Sequence, residues 1–181
     1  MPFTFAHPAA SVPILRPLGR YGVLSALVIG GLAPDLAYFL PFKIARAETH
    51  SLLGLFWFCL PASLLSYVLF HNFLKEPLLE LLPAFASRRL GTYNRHILSP
   101  TRWLAVIISL LCGAITHVVW DAFTHEGAQA VIAFPILQAH LFSVGSYPVY
   151  VFKLLQHMST CIGLFLVLWW SWRWLKGFST G

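Results

Sequence analysis

Long uncharged apolar runs separated by short polar connections organise this chain. Crossing a hydrocarbon core takes roughly 20 apolar residues, and four runs reach that length. The first is Tyr21 to Phe42, whose only charge is Asp35. The second runs from about His50 to Leu74 with no Lys, Arg, Asp or Glu. The third, Trp103 to Trp120, is uncharged and continues into Asp121, and the fourth, Leu154 to Trp172, ends at Arg173 and Lys176. Pro148 is expected in the first turn of the fourth span, where a missing N–H costs nothing. A shorter apolar piece, Pro8 to Leu18, contains Pro13 and cannot cross. Gly19-Arg20-Tyr21-Gly22 reads as a turn, which makes this piece the half-length arm of a helical hairpin with span one. Gly127 to Gly145 is apolar but broken by Pro135, and reads as interfacial or partly re-entrant. The predicted fold is all-α: a multi-pass transmembrane bundle with about four spanning helices, a half-length N-terminal helix and an interfacial segment, in one domain over 1–181.

Composition agrees with that pattern. The chain is 58% hydrophobic and 10% charged, where a soluble domain averages roughly 25% charged. The opening residues lack a basic region and a small-residue cleavage motif, so no cleaved signal peptide is predicted. Cys59, Cys112 and Cys161 stand singly within apolar runs, without CxxC spacing, and read as small buried hydrophobes. The net charge of +6 does not imply nucleic acid, because the basic residues sit at span ends.

Those basic residues orient the bundle. Lys75, Arg88, Arg89, Arg95 and Arg102 follow span two, whereas Glu126 to Lys153 carries only Lys153. Arg16 and Arg20 precede span one, and Arg173 and Lys176 follow span four. The excess predicts cytoplasmic placement for these three regions and an outward face for Gly127 to Gly145. Lys43 and Arg46, in a short outer connection, are the exceptions. Pro77 to Leu90, with Glu80, Arg88 and Arg89, reads as an amphipathic helix on anionic lipid heads. The predicted location is the plasma (inner) membrane, among membrane lipids.

With the spans drawn, six potential metal ligands share one depth: His7, Asp35, His50, His117, Asp121 and His125. At about 1.5 Å of rise per residue, His7 and Asp35 each lie roughly 20 Å up from the turn near Arg20, on antiparallel arms. His50 opens span two at the same end, and His117, Asp121 and His125 share one helix face at i, i+4, i+8. Lys153, Gln156, His157 and Thr160 add a polar stripe to span four. An ionisable group at membrane depth marks a functional site, because the bilayer penalises it unless it is paired, metal-bound or hydrated. Mixed imidazole and carboxylate ligands suit a divalent ion such as zinc, iron or manganese. His71, His96 and His140 do not share that depth and read as structural or solvated.

Several of these segments resemble a known group. Met1-Pro2-Phe3-Thr4 with His7-Pro8-Ala9-Ala10, Ala33-Pro34-Asp35, His50-Ser51-Leu52-Leu53-Gly54, and Thr116-His117 with Trp120-Asp121-Ala122-Phe123-Thr124-His125 look like domain-of-unknown-function family 4184. Their order is similar to that of the LexA-regulated inner-membrane metal-dependent hydrolases, and more distantly to the zinc-dependent phospholipase C superfamily. The resemblance implies a divalent metal held by His7, Asp35, His50, His117 and Asp121. The hydrolase Pro-Asp-x-Asp is here Pro34-Asp35-Leu36-Ala37, and a further His before the His50 motif is absent, with Arg46 and Glu48 nearby instead. Fewer ligands imply one metal, or a site without catalysis. The leading expectation is a membrane-embedded metal-dependent hydrolase of phosphoester bonds in lipid-like substrates. In it, His125 or Asp121 serves as base and Lys153 or His157 pairs with phosphate. Metal or proton handling without hydrolysis, and a packing scaffold, are the rival expectations.

Overall fold

The computed structural model describes residues 3–41, 43–84, 86–87 and 100–177. Arg88, Arg89, Arg95 and His96, and the end of the expected amphipathic stretch, lie outside them. Four principal helices follow an N-terminal arm: α1 (Leu24–Leu32), α2 (Leu52–Glu80), α3 (Pro100–Thr124) and α4 (Val151–Lys176). Among the described residues, α2, α3 and α4 are long and apolar enough to cross a membrane. The first expected span is shorter, an apolar helix over Leu24–Phe39. It changes from α to 3₁₀ geometry at Ala33–Phe39, where Pro34 removes an N–H and disfavours continued α-helix.

The prolines of α2 leave a different mark. π turns occupy Leu55–Cys59 and Phe70–Leu74. Each contains the residue four before a proline: Trp57 before Pro61 and Phe73 before Pro77. A proline ring clashes with the carbonyl four residues back, and one wider turn relieves it without breaking the helix. Pro100 opens α3 without penalty.

The arm is a chain of single turns from Thr4 to Leu18, folded back at Gly19–Tyr21 as the hairpin reading expects. The Phe3 N–H donates to Thr160 Oγ1 at 3.1 Å, fixing the arm's start to α4. α1 and α3 run in parallel and touch backbone to backbone. A Cβ on Gly30 would stand 2.1 Å from the Leu110 carbonyl oxygen, and one on Gly113 would stand 2.3 Å from that of Leu27. Small residues allow such an approach where helices associate by packing in lipid. Leu27, Leu110 and Ala114 are buried beside this crossing. α3 is the most enclosed of the long helices and α4 the least.

Between α3 and α4 the chain forms a short helix (Gln129–Ala133), a 3₁₀ turn (Pro135–Gln138) and a hairpin of β1 (His140–Val144) and β2 (Tyr147–Tyr150). Val144 pairs with Tyr147 across Gly145-Ser146. Only the glycine has positive φ (61°), as the first central position of a type II′ turn requires. The expected interfacial or partly re-entrant segment, Gly127 to Gly145, is thus two short helical turns leading into the first strand of a surface hairpin of β-branched and aromatic residues. Pro148 lies in β2 rather than in the first turn of α4, which begins at Val151. Among the cysteines, Cys59 is buried, Cys112 is partly buried and Cys161 is exposed.

Candidate metal centre

Every element that bears a predicted ligand has an end at one side of the bundle. α1 arrives there with Asp35 in its 3₁₀ continuation, and α3 arrives with His117 and Asp121. The arm departs from it with His7, and α2 departs just after His50. All five side chains are buried or nearly so, with Asp35, His117 and Asp121 at 2% exposure or less.

The helix crossing sets the first ligand. In the i→i+3 pattern that begins at Ala33, the Gly31 carbonyl would accept from position 34, where proline has no N–H. That carbonyl accepts from His117 Nδ1 instead, at 2.7 Å. The bond fixes the tautomer and leaves the Nε2 lone pair facing inward. His50 is held the same way: its Nδ1 lies 3.1 Å from the Arg46 carbonyl oxygen, so Nε2 faces the cluster. The His7 ring stacks on His117, centroids 3.6 Å apart.

These atoms converge. His117 Nε2 stands 3.4 Å from Asp121 Oδ2 and 3.7 Å from Asp35 Oδ1. His50 Nε2 is 3.3 Å and 3.6 Å from the same two oxygens. His7 Nε2 is 3.6 Å from Asp121 Oδ1. The atoms form two overlapping triads, His7–His117–Asp121 and Asp35–His50–His117. Since Nδ1 of His117 is committed to Gly31, one nitrogen serves both triads, which suits one ion better than two.

Two observations test the fit to a metal. Both nitrogens of His7, Nε2 of His50 and His117, and one oxygen each of Asp35 and Asp121 are buried without a hydrogen-bond partner. Leaving such groups unpaired costs about 1–3 kcal/mol each, and more when charged, and a shared cation would satisfy one nitrogen of each imidazole and the two carboxylate oxygens. Their spacing fits too. Two atoms each about 2.1 Å from an ion at a tetrahedral angle stand about 3.4 Å apart. The residues present fit a divalent ion.

Three polar neighbours, not assigned to the site from sequence, complete it. Thr4 Oγ1 donates to Asp35 Oδ2 at 2.6 Å, fixing which oxygen turns inward. Arg46 donates to Asp121 Oδ2 at 2.7 Å from a partly exposed position at the rim. Gln156 Nε2 donates to His125 Nε2 at 3.2 Å. His125 therefore carries its proton on Nδ1, which donates to the Asp121 backbone carbonyl oxygen at 3.3 Å and lies 3.5 Å from Asp121 Oδ1. Burial lowers the His125 imidazole to about 4, against the pull of Asp121, so it is neutral at ordinary pH. The sequence carried a signal for Arg46, a cation on the wrong side of the membrane by the charge rule. Thr4 lay within a quoted motif and Gln156 within the polar stripe, and neither showed its partner.

Lys153 and His157 are not brought into the cluster. Lys153 Nζ donates to Tyr147 Oη at 2.6 Å on the hairpin, and His157 is exposed on α4. His71 bonds Ser25 Oγ at 3.0 Å and His140 bonds Ser143 Oγ at 2.9 Å, both away from the cluster.

The class that fold and site define is a helical, membrane-spanning protein with a buried His/Asp cluster able to hold a metal. A family model described as "Domain of unknown function (DUF4184)" matches residues 1–180, and the chain belongs to that family. No curated protein and no solved structure matches it.

Proposed function

We propose that this protein is a membrane-embedded, metal-dependent hydrolase of phosphoester bonds in lipid-like substrates. The observation that carries the reading is the set of inward-facing, unpartnered imidazole and carboxylate atoms beside Arg46. His7, Asp35, His50, His117 and Asp121 would hold one divalent ion. When bound, such an ion lowers the pKa of water toward neutrality and polarises a phosphoryl oxygen. The two carboxylates and Arg46 together carry one negative charge, so loading a divalent ion leaves the site one charge positive. A site of that sign attracts an anion, and a phosphodiester is one.

Arg46 reaches the cluster from the rim and offers the planar guanidinium fork that suits phosphate. It takes the anchoring role first assigned to Lys153 and His157. Asp121 is the group that would accept a proton; His125, whose Nδ1 bears its own proton and whose Nε2 accepts from Gln156, has no free lone pair for the base role first expected of it. The similarity of motif order to metal-dependent membrane hydrolases supports the same reading by analogy. Metal or proton handling without hydrolysis would use the same ligands and have no need of an anion-binding cation at the rim.

The test is elemental analysis of detergent-purified protein together with phosphate release from phosphatidic acid and phosphodiester lipids. Stoichiometric metal with release that Asp121→Asn abolishes supports the proposal. Metal without release from any such lipid favours the handling reading, and absence of both leaves a packing scaffold.

A further inference from the structure

We infer that Tyr38 binds the substrate anion beside Arg46, the two side chains forming a donor clamp for a phosphoryl group at the mouth of the metal cluster. The 3₁₀ continuation of α1, Ala33–Phe39, places it there. With three residues per turn, side chains three apart eclipse. Tyr38 therefore stands over Asp35 on the same edge, one turn or about 6 Å nearer the end of the element. That edge runs from the cluster to the surface, since Asp35 is 1% exposed and Tyr38 51%. Arg46 comes to the same rim from the short helix Arg46–Thr49. Its guanidinium joins the cluster to the phenol, donating to Asp121 Oδ2 at 2.7 Å and to the Tyr38 hydroxyl.

An arginine has no acceptor, so the bond to Tyr38 runs one way. The phenolic oxygen accepts, and its own proton remains to be donated. Asp35 and Asp121 act on the phenol through their charge, while their hydrogen bonds come from Thr4 and Arg46. Arg46 Nε is buried and has no acceptor of its own. The rim thus presents two unspent donors, one phenolic O–H and one guanidinium N–H, beside the carboxylates that would hold the ion. A phosphoryl group complements them, with several oxygens sharing negative charge, one to face the ion while others accept from the clamp. Tyrosine also suits a membrane–water interface through its ring, but phenylalanine would keep that ring, and only the hydroxyl meets Arg46. The inference rests on the hydrolase reading for the fate of the anion, while the clamp itself stands on the two donors.

The experiment titrates inorganic phosphate, and separately dihexanoyl phosphatidylglycerol, into zinc-loaded full-length protein in detergent. Tyr38→Phe should weaken anion binding about tenfold, the loss of one hydrogen bond to a charged group. It should keep wild-type zinc content, because Tyr38 is not a ligand. Tyr147→Phe removes an equally exposed hydroxyl on the hairpin and should change neither. In protein labelled with 3-fluorotyrosine, the fluorine signal missing from Tyr38→Phe should shift when the anion is added. Tighter binding of the lipid than of phosphate assigns the clamp to a headgroup, and the reverse order assigns it to a free phosphate. Absence of anion binding, equal affinity of wild type and Tyr38→Phe, or a stationary fluorine signal would overturn the clamp. Binding that Tyr38→Phe weakens, without cleavage of any phosphoester lipid, keeps the clamp and rejects the hydrolase. Cleavage whose KM is the same in wild type and Tyr38→Phe does the reverse.

Discussion

Adding one methyl group at Gly113 should dismantle the metal centre from a distance, while the same methyl at Gly31 should not. A Cβ on Gly113 would meet the Leu27 carbonyl oxygen at 2.3 Å and the Gly31 nitrogen at 2.7 Å, both rigid backbone. Relieving the first contact to ordinary van der Waals separation requires α1 and α3 to part by about 1 Å. The same displacement stretches the 2.7 Å bond from His117 Nδ1 to the Gly31 carbonyl toward 3.7 Å, beyond hydrogen-bond range at about 3.2 Å. Breaking a buried hydrogen bond and leaving both partners unsatisfied costs about 1–3 kcal/mol, and strained packing adds about 1–3 kcal/mol. Gly→Ala in a helix returns at most about 1 kcal/mol, so Gly113→Ala should lose roughly 1–5 kcal/mol net. His117 would also lose its orienting partner, and such losses typically lower metal affinity 10–100-fold. At Gly31 the added Cβ meets Ser11 Oγ at 3.4 Å and the Gly113 carbonyl oxygen and Ser11 Cβ at 3.8 Å, ordinary contacts, and Gly31→Ala should be neutral or slightly stabilising. The assay is thermal unfolding of both variants in one detergent, with metal titration of each. Equal tolerance of the two substitutions, or a Gly113→Ala protein that keeps wild-type metal affinity, would refute the account of the helix crossing.

Other substitutions divide the site by role. Asp121→Asn keeps the shape but removes a ligand charge, so metal occupancy should collapse by at least about tenfold, whereas His71→Ala and His140→Ala should retain it. Elemental analysis of the three proteins side by side decides this. Thr4→Val deletes the 2.6 Å bond to Asp35 Oδ2 and should weaken metal binding about 10–100-fold without unfolding the bundle, as read by competition with a chelator. Arg46→Gln frees Asp121 Oδ2 and should leave metal binding intact or tighter. If Arg46 anchors the substrate anion, that variant should show a raised KM for phosphoester lipids, and an unchanged KM would remove Arg46 from that role. Single cysteines at positions 128 and 176 should react with an impermeant reagent from outside only at 128, and the opposite pattern would invert the bundle.

Much of the centre was legible before any packing was known, because the bilayer makes charge expensive. Asp35 and Asp121 stood out as carboxylates in apolar runs, and constant helical rise put His7 and Asp35 at one level. The i, i+4 spacing of His117 and Asp121 gave them one face whatever the neighbouring helix. Geometry along a single helix is a property of sequence, and so is the depth at which a residue enters the membrane. Which side chains meet across helices is not, since it depends on rotations and separations that hydropathy leaves free. The close contact at Gly30 and Gly113 decided that Gly31 would hold His117, and through it which nitrogen faces inward. Packing also set Thr4 on Asp35, Arg46 on Asp121 and Gln156 on His125, and left Lys153 with Tyr147. The hairpin at 140–150 escaped a reading built on apolar runs because burial and periodicity cannot separate a short strand from an interfacial turn. The sequence thus brought the candidate ligands to one level through local rise and the cost of charge in lipid. The tertiary structure alone decided their partners, because a hydrogen bond is made only when two backbones approach within a fraction of an ångström of one distance.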